Sequence, residues 1–419
     1  MGKPFFGAIA DDFAGAADLA SMLARGGAGA TLRVGVPSGP AECACEVVAL
    51  DLRMASTGDA VVAAGDALRW LRAEGIERFY WAYGSGFEGG TRGTIGAVAD
   101  ACMSAIGTEL TLHCPAFPEN GRRVFMSHLF VGEEALADSA PSGEEPPARD
   151  SHLPRLLAAQ VRRPVGRVAF PVVRAGADAV RDALAGTAGH VVADAIESVD
   201  LDVLAEAVQD LPLICGGPAL AAALPGAWRG AGRDLSRPGG EAPEFARPGR
   251  LVLAGSCAGP TRQQIGAYLD RALGYRLDPV ELAQEGLGPA CAWLARQDPE
   301  ADKVIYSSAE PNAVAAARTA LGAGRASALV GEALGRLAVE AREMGIGAVV
   351  VAGGDARDAV FRALGVGCLR IGPEIAPGVP WCFAEDGLAL AYKAGDFGGR
   401  GILAECFEVL ACGGVLAAQ

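Results

Sequence analysis

Short apolar runs, most closing on glycine, aspartate or proline and most followed by an amphipathic stretch, recur along the whole chain. FFGAIADD precedes AADLASMLARGG, EVVALDL precedes VVAAGDALRWLRAEG, and RFYWAY precedes TIGAVADACMSAIG. Further runs are LTLHCPA, GRVAFP, HVVADA and LPLICGG. Near-continuous apolar runs between helices predict α/β architecture, with mainly parallel sheets covered on both faces. The 58 glycines suit the tight strand-to-helix turns that such folds need.

The chain has 419 residues, which is long for one core and predicts two domains. The stretch Pro225 to Arg250, PGAWRGAGRDLSRPGGEAPEFARPGR, is rich in Gly, Pro and Arg and lacks periodicity. It divides the chain into a domain over 1–225, a linker over 226–249 and a domain over 250–419. RLVLAGS opens the second α/β unit, DKVIYSS and GAVVVAGG continue it, and RASALVGEALGRLAVEAREMG reads as a long helix between them. RRVFM and HLFVG read as an excursion from the first sheet, and acidic residues 133–150 as an exposed loop or flap.

A net charge of −14 argues against a general nucleic-acid binder and for a small-molecule substrate. The 11 cysteines are scattered and lie mostly in apolar runs, which predicts core thiols in a reducing compartment. No run reaches the roughly 18 apolar residues of a membrane span, and the first residues lack a signal-peptide pattern. The expectation is a cytoplasmic protein with no membrane partner.

Three turns of the first half carry candidate chemistry. Asp11 and Asp12 end the first strand, where ligands of open α/β sheets bind. A carboxylate there can accept substrate hydroxyl hydrogen bonds or take a proton from an attacking alcohol, with Asp12 the first choice for that role and Asp11 the second; the other reading is that one of them caps the following helix. Residues 84–93, GSGFEGGTRG, spell GxGxxG through Gly86 and Gly89. They do not follow the first strand, and no acidic residue ends the next one, which argues against a dinucleotide site. The loop still offers N–H groups to an anion, and Arg92 a bidentate contact to a carboxylate. The third turn is CPAFPENGR with HLF beyond it, where Asn120, Arg122 and His128 can face a polar ligand. Only 4 histidines are present, none paired at ligand spacing, so no protein-held metal is expected.

In the second half, AGSC around Ser256 and AGGDA over Gly353, Gly354, Asp355 and Ala356 each end a strand before a helix. Both can present N–H groups to phosphates. KAGDFGG adds Lys393 and Gly395, and a Walker A motif is absent.

AIADDFAGAADLA, CPAFPENGRRVF, HLFVG, LAGSC, VVVAGGDA, IGPEIAPGVPW and LAYKAGDFGG together resemble the four-carbon acid sugar kinases, most of all the 3-oxo-tetronate kinase branch. The resemblance implies an N-terminal sugar-acid domain, a C-terminal ATP domain and transfer in a cleft between them. It places Asp11, Asp12 and Arg53 at the sugar acid. It places Ser256, Gly353, Gly354, Asp355 and Gly395 around ATP, Lys393 near its phosphates, and magnesium with the nucleotide. A homodimer is the oligomer expected.

The chain departs from the family pattern where sugar is bound. Ala14 stands for the threonine of ADDFTGA, and Asp51 for the lysine of ALKSR. Glu88, Gly89, Gly90 and Thr94 stand for residues of FDSTxxGNIG, and Ala356-Arg357 follow the ATP-side glycines in place of Thr-Ser. Lost side-chain donors and acceptors predict altered specificity, the alternative being a non-catalytic pseudokinase.

Overall fold

Helices cover both faces of each sheet, so apolar runs without polar alternation are buried along their length. The structure, a computed structural model, describes residues 4–52, 55–84, 87, 93–139, 150–233, 235, 249–376, 379–393 and 398–411, with residues 323 and 355 described by backbone alone. The chain divides into two compact units, residues 1–240 and 241–419.

The strands of the first unit are β1 (Phe6–Ala10), β2 (Ala30–Val34), β3 (Cys45–Ala49), β4 (Arg78–Ala82), β5 (Leu110–Cys114), β6 (Arg122–Phe125), β7 (His128–Val131), β8 (Glu134–Ala135), β9 (Val165–Val168), β10 (Gly189–Ala193) and β11 (Leu213–Gly216). The main sheet runs β2-β3-β1-β4-β11-β5-β10-β9 with parallel pairing. Helices Thr57–Ala73 and Thr94–Ile106 pack on one face: Gly7 lies against Leu71, and the Trp81 indole donates to the Ile95 carbonyl at 3.1 Å. Helix Pro218–Gly230 packs on the other, where the Trp228 and Phe6 rings lie 5.0 Å apart. Strands β6 and β7, the excursion read from the sequence, pair antiparallel in a separate sheet with β8, which lies in the stretch 133–150 expected to be a loop or flap.

The strands of the second unit are β12 (Arg250–Ala254), β13 (Leu273–Arg276), β14 (Asp302–Tyr306), β15 (Ala348–Ala352), β16 (Cys368–Ala376), β17 (Val379–Ala384) and β18 (Ala389–Lys393). They run β13-β14-β12-β15-β18-β17-β16, parallel up to β18 and antiparallel beyond it. Trp381, Phe407 and Tyr268 stack through its core, and the Trp381 indole donates to the Cys406 carbonyl at 2.8 Å.

Residues 226–230, expected in the linker, extend helix Pro218–Gly230, which tolerates Pro225 inside it. Pro225 packs against Gly26, where a Cβ would come within 2.8 Å of its ring, so tertiary contact offsets the lost helical hydrogen bond. Among the described residues the cysteines are free thiols, and most are buried. Burial pushes the Cys102, Cys382 and Cys406 thiols up to about 12, so they are inert packing groups. No helix among the described residues is long and apolar enough to cross a membrane.

Candidate functional site

In the second unit, the turns after β12 and β15 lie back to back. Gly255 and Ser256 donate their N–H groups to the Ala352 carbonyl at 2.9 and 3.3 Å, and Gly353 donates to the Lys393 carbonyl at 3.1 Å. Two glycines make this approach possible. A Cβ on Gly255 would stand 2.8 Å from the Ala356 Cβ, and one on Gly353 would stand 2.9 Å from the Ser256 nitrogen. The Ser256 hydroxyl accepts from the Ala258 N–H at 3.2 Å, and the Ser308 hydroxyl donates to the Ser256 carbonyl. Helices Gly259–Leu269 and Gly354–Leu364 follow these turns, so two positive helix ends lie beyond neighbouring strands.

A cavity of about 330 Å³ opens there, lined by Ser256, Gly353, Gly354 and Ala356 among others. That size lies within the about 300–1,000 Å³ of small-molecule sites. Lys393 is fully buried at the end of β18, and its Nζ lies 3.4 Å from the Thr261 hydroxyl. Arg276 at the end of β13, Asp278 just past it, and Ala317, Arg318 and Val330 on two helices also line the cavity. Sequence reasoning missed these five. Arg276 ends and Asp278 follows a strand too short and polar to be read as one, and the others carry no motif.

In the first unit, Asp11 and Asp12 follow β1 as expected. The Asp12 Oδ1 accepts from the Gly15 N–H at 2.6 Å and caps helix Phe13–Arg25. Asp11 is buried, with 9% exposure, and its N–H donates to the Ala82 carbonyl at 3.1 Å. Parallel register therefore sets Asp11 beside Tyr83, and residues in register share a sheet face. The cap yields a prediction: Asp12→Ala should lower stability by about 1 kcal/mol in chemical denaturation, whereas Asp12→Asn, another strong cap, should be nearly neutral.

CPAFPENGR folds as a 3₁₀ turn, Pro118–Asn120, closed by Gly121. Asn120 is exposed, and Arg122 donates to its carbonyl at 3.0 Å. His128 is half-buried, with Nδ1 2.8 Å from the Ser151 hydroxyl and its ring 5.0 Å from that of His152. A residue not singled out in the sequence organises this region. Asp194, at the end of β10, accepts from the backbone N–H groups of Met126 and Ser127 at 2.8 Å and of Phe170 at 2.9 Å. It thereby holds the left-handed turn between β6 and β7, where φ is 50° and 69°. Burial pushes its carboxyl up, against the pull of those N–H groups. Arg53, Gly86, Arg92, Gly395 and the Asp355 side chain lie outside the described residues.

Comparison with known proteins bears on both halves. The family model described as "Sugar-binding N-terminal domain" matches residues 6–224, and "Nucleotide-binding C-terminal domain" matches residues 251–403. The 3-oxo-tetronate kinase of Pseudomonas fluorescens is 39% identical over 423 residues, covering 98% of each chain. That of Cupriavidus necator is 39% identical, covering 97% of this chain and 98% of its own. A solved structure from Salmonella typhimurium LT2 superimposes with a TM-score of 0.89 at 34% identity, covering 96% of this chain and 98% of that one. One from Haemophilus influenzae gives 0.83 at 31%, covering 96% and 99%. A small-molecule-sized cavity beside paired glycine turns, a carboxylate pair past the carboxyl end of β1, and likeness along nearly the whole length accompany the family matches: the chain belongs to the four-carbon acid sugar kinase family.

Proposed function

We propose that this chain phosphorylates a hydroxyl of a small sugar acid, of the four-carbon or 3-oxo type, with ATP as donor. The observation that carries the reading is the cavity formed where the turns of Gly255-Ser256 and Gly353-Gly354 lie back to back. Its glycines leave the N–H groups of two helix starts open to phosphate oxygens, and Lys393 adds a buried cation at the same strand ends. When bound, ATP supplies the phosphoryl group, with magnesium neutralising its phosphates. The first unit binds and orients the acid, and Asp11 aligns and deprotonates its hydroxyl. Asp12 holds the helix beside it, which puts Asp11 ahead of Asp12 for the chemical role.

The exchanged positions support specificity different from that of the relatives. Ala14 offers no hydroxyl, and Asp51 is an exposed anion where the family pattern has a cation. The same exchanges favour a second reading, a pseudokinase that binds ligands without transfer.

The test is ATP consumption over a panel of four- to six-carbon sugar acids and their 3-oxo forms, including 3-oxo-tetronate. Turnover of at least one acid is expected, with a kcat of about 1–100 s⁻¹. Folded protein that binds ATP but consumes none across the panel would reject the kinase reading for the pseudokinase one.

A further inference from the structure

Beneath helix Thr94–Ile106, four polar side chains from separate elements join in one line. The Tyr83 hydroxyl, just past β4, lies 3.2 Å from Nδ1 of His113 on β5. Nε2 of His113 lies 2.9 Å from Nδ1 of His190 on β10. Nε2 of His190 lies 3.0 Å from Oδ1 of Asp100 on the helix. Arg163 holds the same carboxylate at 2.6 Å, and the Arg162 N–H approaches its other oxygen at 3.3 Å. Tyr83 and both histidines are buried; Asp100 reaches the surface.

Donor and acceptor bookkeeping leaves one arrangement for neutral imidazoles. Asp100, held anionic by Arg163, only accepts, so His190 carries its proton on Nε2. Nδ1 of His190 then accepts, so His113 also carries its proton on Nε2. Nδ1 of His113 accepts in turn, and the Tyr83 hydroxyl must donate to it. Burial moves the Asp100 carboxyl up, but the Arg163 and His190 hydrogen bonds outweigh it and hold the group below the usual carboxylate range. Burial depresses His113, with the His190 charge adding to it, and burial depresses His190 against the pull of Asp100. Burial lifts Tyr83 well above the ordinary phenol, with Cys215, Tyr80, Cys114 and Asp11 adding to it.

We propose that Asp100–His190–His113–Tyr83 is a one-way positioning relay for the sugar-acid site. It fixes the Tyr83 proton on the His113 side, away from Asp11, so that Tyr83 does not compete with the substrate hydroxyl for the Asp11 carboxylate. Tyr83 also carries the start of the loop after β4: its ring packs edge-on against Phe87 at 5.6 Å, and Phe87 donates to the Gly84 carbonyl at 2.8 Å with φ of 57°. The groups facing the two imidazoles are Asp100 and Arg163 outside, Tyr83 inside, and Cys215 on the strand between β4 and β5. The inference rests on the sugar-acid reading of the first unit.

Asp100→Asn tests it. The amide nearly preserves shape at a partly exposed position but can donate as well as accept, so the line can reverse and release the Tyr83 proton toward Asp11. With ATP and 3-oxo-tetronate, the KM for the acid should rise about fivefold or more, the worth of one neutral hydrogen bond, while the KM for ATP holds. Asp100 favours charged His190, so its loss should move the acid limb of kcat/KM to lower pH. Tyr83→Phe removes the proton that the line restrains, so it should leave the acid KM near that of the wild type, and the double variant should match Tyr83→Phe, losing the rise that Asp100→Asn causes alone. In nitrogen-15 spectra of the wild type at pH 7.5, both imidazoles should be Nε2–H tautomers, with mixing in Asp100→Asn. An Nδ1–H or charged imidazole in the wild type, an unchanged acid KM in Asp100→Asn, or additive effects in the double variant would overturn the relay. If the wild type binds erythronate calorimetrically yet transfers no phosphate, the kinase reading fails alone. The erythronate Kd then decides the relay: a rise of about fivefold in Asp100→Asn upholds it, and no change overturns it. No binding of erythronate or of any other acid of the panel overturns both.

Discussion

Asp11→Asn is expected to lower kcat for acid phosphorylation by about 10²–10⁴-fold, the usual contribution of a positioned general base, which corresponds to roughly 3–5 kcal/mol of barrier. Asparagine keeps the shape of the side chain and its ability to hydrogen-bond a sugar hydroxyl, but it does not accept the proton. Asp11 lies at the end of a fully buried parallel strand, with its own N–H committed to the Ala82 carbonyl, so its backbone is fixed by the sheet and not by the ligand. Folding should therefore change little, and the KM for ATP should hold, since the nucleotide turns lie in the other unit. Asp12→Asn is the informative partner. It retains the cap on Gly15, so any large loss of kcat there reports chemistry and not helix stability. A kcat within threefold of wild type in Asp11→Asn, together with a collapse in Asp12→Asn, would exchange the roles assigned to the two carboxylates.

The strands that the sequence announces are those buried on both faces. β1 and β15 are apolar throughout, and β3 and β10 carry one buried polar residue each, Glu46 and His190, within an otherwise apolar run. β2 escaped notice because ATLRV carries Arg33, whose charge looks solvent-facing. In the structure Arg33 is buried and paired with fully buried Glu46 at 2.9 Å, a partner 13 residues away that no local pattern announces. β16 and β17 were hidden by GPEIAPGVPW, whose prolines read as turn chemistry. They lie in an antiparallel pair with register shifts between Ile371, Glu374 and Ala376, where proline is tolerated. At the site, the glycine turns were legible one by one, but their close approach was not. It depends on β12 and β15 being neighbours in the sheet, although 98 positions separate Leu253 from its register partner Val351. The histidine line was wholly illegible. Residues 113 and 190 meet because β5 and β10 pair with His190 opposite Thr111, a register set by the fold and not by any motif.

Gly353→Ala is expected to cost about 2–6 kcal/mol of stability and at least tenfold in ATP affinity. Two independent penalties combine. The residue holds φ of 111° and ψ of 142°, a region that side chains rarely adopt, which costs about 1–3 kcal/mol. The new Cβ would also stand 2.9 Å from the Ser256 nitrogen and 3.0 Å from its Cβ, and overpacking of this kind costs about 1–3 kcal/mol. Ser256 has little freedom to retreat, because its N–H is tied to the Ala352 carbonyl and its own carbonyl to the Ser308 hydroxyl. Relief must come from separating the two turns, and that separation moves apart the two positive helix ends offered to the phosphates. Gly354→Ala is the control on the adjacent residue. A Cβ there meets nothing within 4 Å, and the position opens a helix, where alanine is the better former. Its thermal midpoint should hold or rise slightly, while the added methyl on the cavity wall should weaken ATP binding. Calorimetry against an ATP analogue, set beside thermal melts of both variants, separates the two effects. Unchanged nucleotide affinity in Gly354→Ala, with Gly353→Ala merely unstable, would mean that the paired turns brace the sheet and that ATP is held elsewhere.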